Sequence, residues 1–395
     1  MPVNGRVGAL CGVLLLALAG CNKQAGRGGN AATATGDIVV GEYASLSGTK
    51  ADFGITTTNG VALAADKINA AGGLLGRKIV LKKEDDQGDA SQVGTVVTRF
   101  VTGDRVDCVI GEVASKLSKR AAPICQKAKT PMITPSSTNP EVTRIGDYIF
   151  RACFTDPFQG GVLARFALTT LHAKRAAVLR DVSNDYSVGL ADFFVREFKR
   201  QGGVITVDKS CSEGDDNFRP QLTAIAASKP DVILAPVYYR EIALIARQAK
   251  ETGVKAPLLG GDGWDSPNVL ELAGGALDGC YMSNHYSEAQ GGPIIQKFVA
   301  DYQAKFHTKP NALAALGYDA MNMYAEAVKR AGSADKAKVR DELAATRGFK
   351  GVTGTITMDA DRNAVKDAVI LQAKGGRFVY VATVKPVGGA EPAGK

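Results

Sequence analysis

The chain opens with an uncharged apolar run, residues 7–19, that ends in small residues just before Cys21. Such a run is too short to be a comfortable membrane span and reads as a secretory signal over residues 1–20. Residues 22–36 are small, polar and aperiodic, the composition of a flexible tether. Beyond them, β-branched runs alternate with helical patterns. Strands are predicted at 37–43, 78–84, 106–110 and 131–135, with helices at 57–71, 89–102 and 116–127 between them. In the first helix Val61, Leu63, Ala64 and Ile68 share a face, and Gly72-Gly73 stops it. Near 150–158 the scheme restarts. Strands at 176–180, 204–208, 231–235 and 257–259 alternate with helices at 185–200, 217–227 and 239–252.

Alternation of this kind implies parallel sheets covered by helices on both faces. Two blocks in tandem imply an α/β fold of two Rossmann-like lobes. After Cys280 the pattern changes to longer amphipathic helices at 291–306 and 312–331, another at 335–346, and strand-like pieces at 353–358, 368–372 and 378–384. A chain that builds one lobe, then the other, then returns crosses between them more than once, which makes a multi-strand hinge. The expected division is 37–156 plus 285–355 for the first lobe and 157–284 plus 356–386 for the second, with a disordered tail at 387–395.

Removing the signal and tether leaves about 360 residues, enough for two domains at ~100–200 residues each. The net charge is +8, yet the basic residues are scattered among carboxylates without a run or an aromatic-interleaved stripe. Nucleic-acid binding is therefore a poor reading. Of seven cysteines, Cys11 leaves with the signal and Cys21 is set apart. The spacing of Cys108, Cys125, Cys153, Cys211 and Cys280 suits neither a zinc site nor a redox pair. It leaves open a Cys108–Cys125 bridge or, equally, five small buried hydrophobes. No phosphate-binding loop, zinc-protease motif or nucleophile elbow occurs, and His172, His285 and His307 sit in separate elements without evident partners. The expectation is a protein that performs no catalysis and needs no cofactor or metal.

Open α/β sheets bind ligands beyond the C-terminal ends of their strands. In the first block those ends carry Gly111-Glu-Val-Ala-Ser115 and Ser136-Ser137-Thr138-Asn139, which offer hydroxyls and amide donors. In the second they carry Asp181-Val-Ser-Asn-Asp-Tyr186, Val237-Tyr238-Tyr239 and Gly260-Gly-Asp262-Gly-Trp264, which offer phenols and a carboxylate. Together they would make a cleft suited to a small zwitterion. Asp156 sits at the crossover, where either a cleft lining or a turn before Pro157 explains it.

From about Asp37 to Val384 the chain resembles the type I periplasmic binding proteins, in the Leu/Ile/Val-binding branch that serves ABC importers. The resemblance rests on the shared order of Gly41-Glu-Tyr-Ala-Ser-Leu-Ser-Gly48, Asn69-Ala-Ala-Gly-Gly73, Glu84-Asp-Asp-Gln87, the 131–141 segment, Asp185-Tyr-Ser-Val-Gly189 and Leu259-Gly-Gly-Asp-Gly-Trp-Asp265. It implies that Ser115 binds a ligand α-carboxylate, that Thr138 serves both ends of the ligand, and that Ser136 and Ser137 supply backbone groups beside it. It further implies that Tyr186 and Tyr238 (or Tyr239 in its place) reach across on closure, that Asp262 pairs with the α-ammonium, and that Phe53 lies beside the ligand side chain. The well-known Leu/Ile/Val binder has glutamate in place of Asp262 and a small apolar residue in place of Ser137. By resemblance to a bacterial lipobox, Cys21 would be lipidated after cleavage, and that anchor would be the protein's only membrane contact. The function implied is capture of a branched-chain or similar apolar amino acid and delivery to an ABC permease with its ATPase, outside the cytoplasm. A sensor of an amino acid, amide or urea on the same fold is the alternative.

Overall fold

A computed structural model describes residues 36–386. The expected signal, Cys21, residues 22–35 of the tether and the 387–395 tail lie outside them. The first sheet contains β1 (Ile38–Ala44), β2 (Ile79–Asp85), β3 (Cys108–Ile110), β4 (Met132–Thr134) and β5 (Ile149–Arg151), all parallel, in the order β2-β1-β3-β4-β5. The second contains β6 (Arg175–Asp181), β7 (Val204–Cys211), β8 (Val232–Leu234), β9 (Leu258–Gly260) and β10 (Tyr281–Asn284), parallel in the order β7-β6-β8-β9-β10. The two five-strand runs therefore have the same topology. Beyond β10 the second sheet continues antiparallel through β14 (Ala368–Lys374) and β15 (Arg377–Val384). A small ribbon of β11 (Phe349–Gly351), β12 (Gly354–Met358) and β13 (Ala364–Val365) stands apart.

Strands buried on both faces need apolar residues throughout, and Val40, Val109, Ile133, Val178, Ile233 and Leu259 are all fully buried. The helices that cover them are α1 (Ala51–Ala70), α2 (Ala90–Thr102), α3 (Ser115–Lys127) and the short α4 (Glu141–Arg144), then α5 (Asp156–Thr169), α6 (Asp185–Arg200), α7 (Arg219–Ala227), α8 (Tyr239–Glu251) and the short α9 (Val269–Ala273). α10 (Pro293–Phe306), α11 (Ala312–Ala331) and α12 (Lys336–Ala344) follow the second sheet, and α11 packs along α1. The chain leaves the first sheet after β5, leaves the second after β10 to place α11 against α1, and returns to the second sheet between β13 and β14.

One expectation needs correction. α1 begins six residues before the predicted start. A Cβ on Gly54 would lie 2.0 Å from the Ser45 carbonyl oxygen, so the glycine lets the first helical turn rest on the loop after β1. Of the two readings left open for the cysteines, the buried one holds: Cys108, Cys125, Cys153, Cys211 and Cys280 are all free and buried, and no Cys108–Cys125 bridge is formed. Burial pushes the Cys125 and Cys153 thiols up to about 12, as befits small inert hydrophobes.

Candidate functional site

In each sheet the strand order reverses direction once: between β1 and β3 in the first sheet, and between β6 and β8 in the second. Loops leaving the C-terminal ends of such a pair diverge and open a crevice. The β3 loop leads to Ser115, the first residue of α3. The helix has no side-chain cap, so its first amides are not satisfied by a side chain at that position. The Ser115 hydroxyl accepts from the Asn139 amide at 3.3 Å. After β4 come Ser136 and Thr138, both buried, whose hydroxyls have no hydrogen-bond partner among the described residues. Arg151, fully buried, fixes this loop. Its guanidinium donates to the carbonyl oxygens of Ser137 and Asn139, the latter at 2.8 Å. Ser137 differs from its neighbours. Its hydroxyl bonds Glu112, Val113 and Ser118, its amide donates to Thr134 Oγ1 at 3.0 Å, and its carbonyl is taken by Arg151. Every polar group of Ser137 is thus spent on the protein itself.

The second wall is aromatic and acidic. Asn184 caps α6 by accepting from the Tyr186 amide at 3.0 Å, which sets the start of the helix and the place of its phenol. Tyr186 stacks on Tyr238 at 5.5 Å between ring centroids, and its hydroxyl accepts from the Gly263 amide at 3.0 Å. The Tyr238 hydroxyl has no partner among the described residues. Asp262, 5 % exposed, accepts from Gln159 Nε2 on one oxygen at 2.8 Å and lies 3.0 Å from His285 Nε2 on the other. Burial pushes the His285 imidazole down to about 4, although Asp262 pulls it upward. The ring is therefore neutral near pH 7. As the donor to Asp262 Oδ2, Nε2 would carry the ring proton. The glycines around Asp262 have a steric reason: a Cβ on Gly261 would lie 2.4 Å from the Tyr186 hydroxyl, and one on Gly263 would lie 2.8 Å from the same ring.

The walls touch. Phe53, near the start of α1, meets the edges of Tyr238 and Tyr239 at 5.3 and 4.9 Å. The Tyr239 hydroxyl donates to the Thr49 carbonyl at 2.8 Å, so that phenol serves contact between the lobes. Asn139 Nδ2 donates to the Asp185 carbonyl at 2.9 Å, Lys119 pairs with Asp185 at 3.2 Å, and the Ala312 amide donates to Asp265 Oδ2 at 2.8 Å. Two open crevices flank the crossings, one of about 930 Å³ beside Asp265 and Tyr286, the other of about 840 Å³ beside Phe154 and Lys366. Neither is lined by Ser115, Thr138, Tyr186, Tyr238 or Asp262, which are enclosed between the walls.

Residues 37–377 match the family described as periplasmic binding protein. The chain belongs to that family. Among the relatives of this periplasmic binding protein is the Leu/Ile/Val-binding protein BraC3 of Rhizobium johnstonii, 32% identical over 303 residues, which are 76% of this chain and 82% of that one. The leucine binding protein LivK of Thermotoga maritima has 37% identity and a TM-score of 0.85, covering 88% of this chain and 99% of that one. The branched-chain amino acid transporter substrate binding protein LivJ of Streptococcus pneumoniae, solved in complex with isoleucine, has 32% identity and a TM-score of 0.84, covering 89% and 100%. The fold is the type I periplasmic-binding-protein fold.

In this periplasmic binding protein the structure brings together Ser115, Ser136, Thr138, Tyr186, Tyr238, Asp262 and Phe53, and turns the Ser137 hydroxyl away into the β3 loop. Sequence reasoning missed Gln159 and His285. His285 follows β10 directly, where the rule about strand ends applies. The Met-Ser-Asn end of that strand did not announce it. Gln159 lies one helical turn beyond Asp156, on the same face of α5.

Proposed function

We propose that this protein captures a branched-chain or similar apolar amino acid between its two lobes and delivers it to an ABC permease and its ATPase. The observation that carries this reading is the convergence of the two switch points: hydroxyls and a helix N-terminus on one wall, phenols and an acid on the other. A zwitterion needs both. Its carboxylate suits the Ser115 hydroxyl and the first amides of α3, with Ser136 and Thr138 beside them. Its ammonium suits Asp262, since charge-assisted hydrogen bonds are the strong ones. Phe53, Tyr186 and Tyr238 would close over the apolar side chain. The likeness to the Leu/Ile/Val-binding protein BraC3 and to the leucine binding protein LivK supports the same ligand class. The protein performs no covalent chemistry in this reading.

We take the first lobe as 37–156 plus the segment that begins at 285, and the second as 157–284 plus the C-terminal strands. The last crossing is drawn at Lys366–Asp367, downstream of 355/356, because β12 runs unbroken across that limit. Family membership implies an extracytoplasmic location. No helix among the described residues is long and apolar enough to cross a membrane. Attachment would come through lipid on Cys21, and Cys21→Ser should then release the protein from the membrane fraction. A variant that still sediments with membranes would remove the anchor.

A thermal-shift panel of amino acids tests the ligand reading. A ligand that binds only the folded form at 100 times its Kd adds ~2.7 kcal/mol of stability. Leucine, isoleucine or valine should raise the melting temperature, and a panel with no stabilising amino acid would overturn the proposal.

A further inference from the structure

Asp156 opens α5 directly after the first crossing and is fully buried. Its amide donates to the Thr138 carbonyl at 3.0 Å, which holds it against the hydroxyl-bearing loop. Gln159, three residues along the same helical face, donates to Asp262. Asp156 therefore lies between the two walls. Both of its carboxylate oxygens lack a hydrogen-bond partner among the described residues, as do Thr138 Oγ1 and Gln159 Oε1. With Asp156 ionised, three of these four atoms can only accept, and the Thr138 hydroxyl is the single donor among them. A cation with several N–H groups is the guest that corrects that imbalance.

Burial is the main cause that disfavours ionisation of Asp156; the Thr138 hydroxyl beside it favours the ionised form, Asp262 opposes it, and Arg151 favours it. The terminal guanidinium nitrogens of Arg151 are already committed to the Ser137 and Asn139 carbonyls. Tyr186 and Cys153 are the other titratable groups in its field, and both are buried and neutral near pH 7. His285, itself neutral, and Lys366 face Asp262 and Cys153 from the hinge side. Two buried carboxylates with no cation between them do not both ionise.

We propose that Asp156 is a second carboxylate of the ligand site, protonated when the site is empty, and that capture of an α-ammonium expels its proton to solvent. The inference rests on the amino-acid reading above. Before binding, Asp156 is the neutral acid. The incoming ammonium supplies three donors and one positive charge. Asp156 ionises beside it, and the released proton goes to the buffer. Burial, reinforced by Asp262, pushes the free Asp156 carboxyl up to about 8. A neighbouring ammonium lowers a carboxyl by ~1–3 units. A group whose pKa falls on binding favours the complex as pH rises, so affinity should increase about two- to eightfold from pH 6 to pH 7 and level off above the free value.

Calorimetric titration with L-isoleucine near neutral pH, in phosphate and in Tris, reads the proton directly, because the two buffers differ in ionisation heat. The wild-type protein should release about 0.4–0.9 proton per ligand bound at pH 7. Asp156→Asn, which keeps the shape, should release none and show an affinity independent of pH between 6 and 8. Isoleucine bound with buffer-independent heat and a flat pH profile would overturn the inference and leave the functional reading standing. Proton release that persists in Asp156→Asn would also overturn it. If no amino acid binds the wild type, the functional reading falls and this inference with it. The wild-type measurement decides the question even if the variant fails to fold.

Discussion

The two walls of the cleft are built by different means. On the first, the useful groups are hydroxyls and backbone amides held by their own loops: Ser115 opens α3, and Ser136 and Thr138 follow β4. Two of those three hydroxyls have no protein partner among the described residues. On the second wall the central group is a carboxylate already engaged on both oxygens, by Gln159 and by His285. One wall presents spare donors and acceptors, and the other presents a charge whose orientation has been fixed beforehand. An anion-binding edge follows from local backbone geometry. A buried acid needs partners from elsewhere in the chain, since an isolated buried charge is costly.

This contrast can be broken at several points. The largest effect is expected on the second wall. Asp262→Asn should weaken isoleucine binding by about 30-fold or more by calorimetry, because losing one member of a buried charge pair costs ~2–5 kcal/mol. A loss below about threefold would reduce Asp262 to a partner of His285. On the first wall, Ser115→Ala should cost about tenfold in affinity, one charged hydrogen bond of ~1.5 kcal/mol. A still smaller effect separates the two phenols. Tyr186→Phe removes the acceptor of the Gly263 amide and should lower unliganded stability by ~1 kcal/mol in urea melts, whereas Tyr238→Phe should leave that stability unchanged. Equal losses would show that the two rings are not distinguished. Ser137→Ala should leave affinity within about twofold, because its groups are spent within the protein, and should lower stability instead. A tenfold affinity loss there would return Ser137 to the site.

The sequence carried the strand-and-helix alternation well, because a buried parallel strand must be apolar and a surface helix must be striped. It also located most of the first wall, since Ser115, Ser136 and Thr138 follow recognisable strands. α5 was not legible. Its buried residues include Gln159, Gly160, Val162, Leu163, Ala164, Phe166 and Ala167, which leaves no stripe to read. β10 is short and ends in Ser283 and Asn284, so His285 could not be seen as a strand-end residue. The partners of Asp262 lie 23 and 103 residues away, a separation that no local pattern records. Asp156 stayed ambiguous for the same reason: its meaning comes from Asp262, across the cleft.

The three passages of chain between the sheets have a mechanical consequence. A single tether would let the halves twist, slide and swing. Three covalent straps side by side suppress the first two and leave a rotation about one axis, as three hinges do for a door. On the proposed capture between the lobes, Ser115 and Asp262 would then meet in the same register each time without guidance from the ligand.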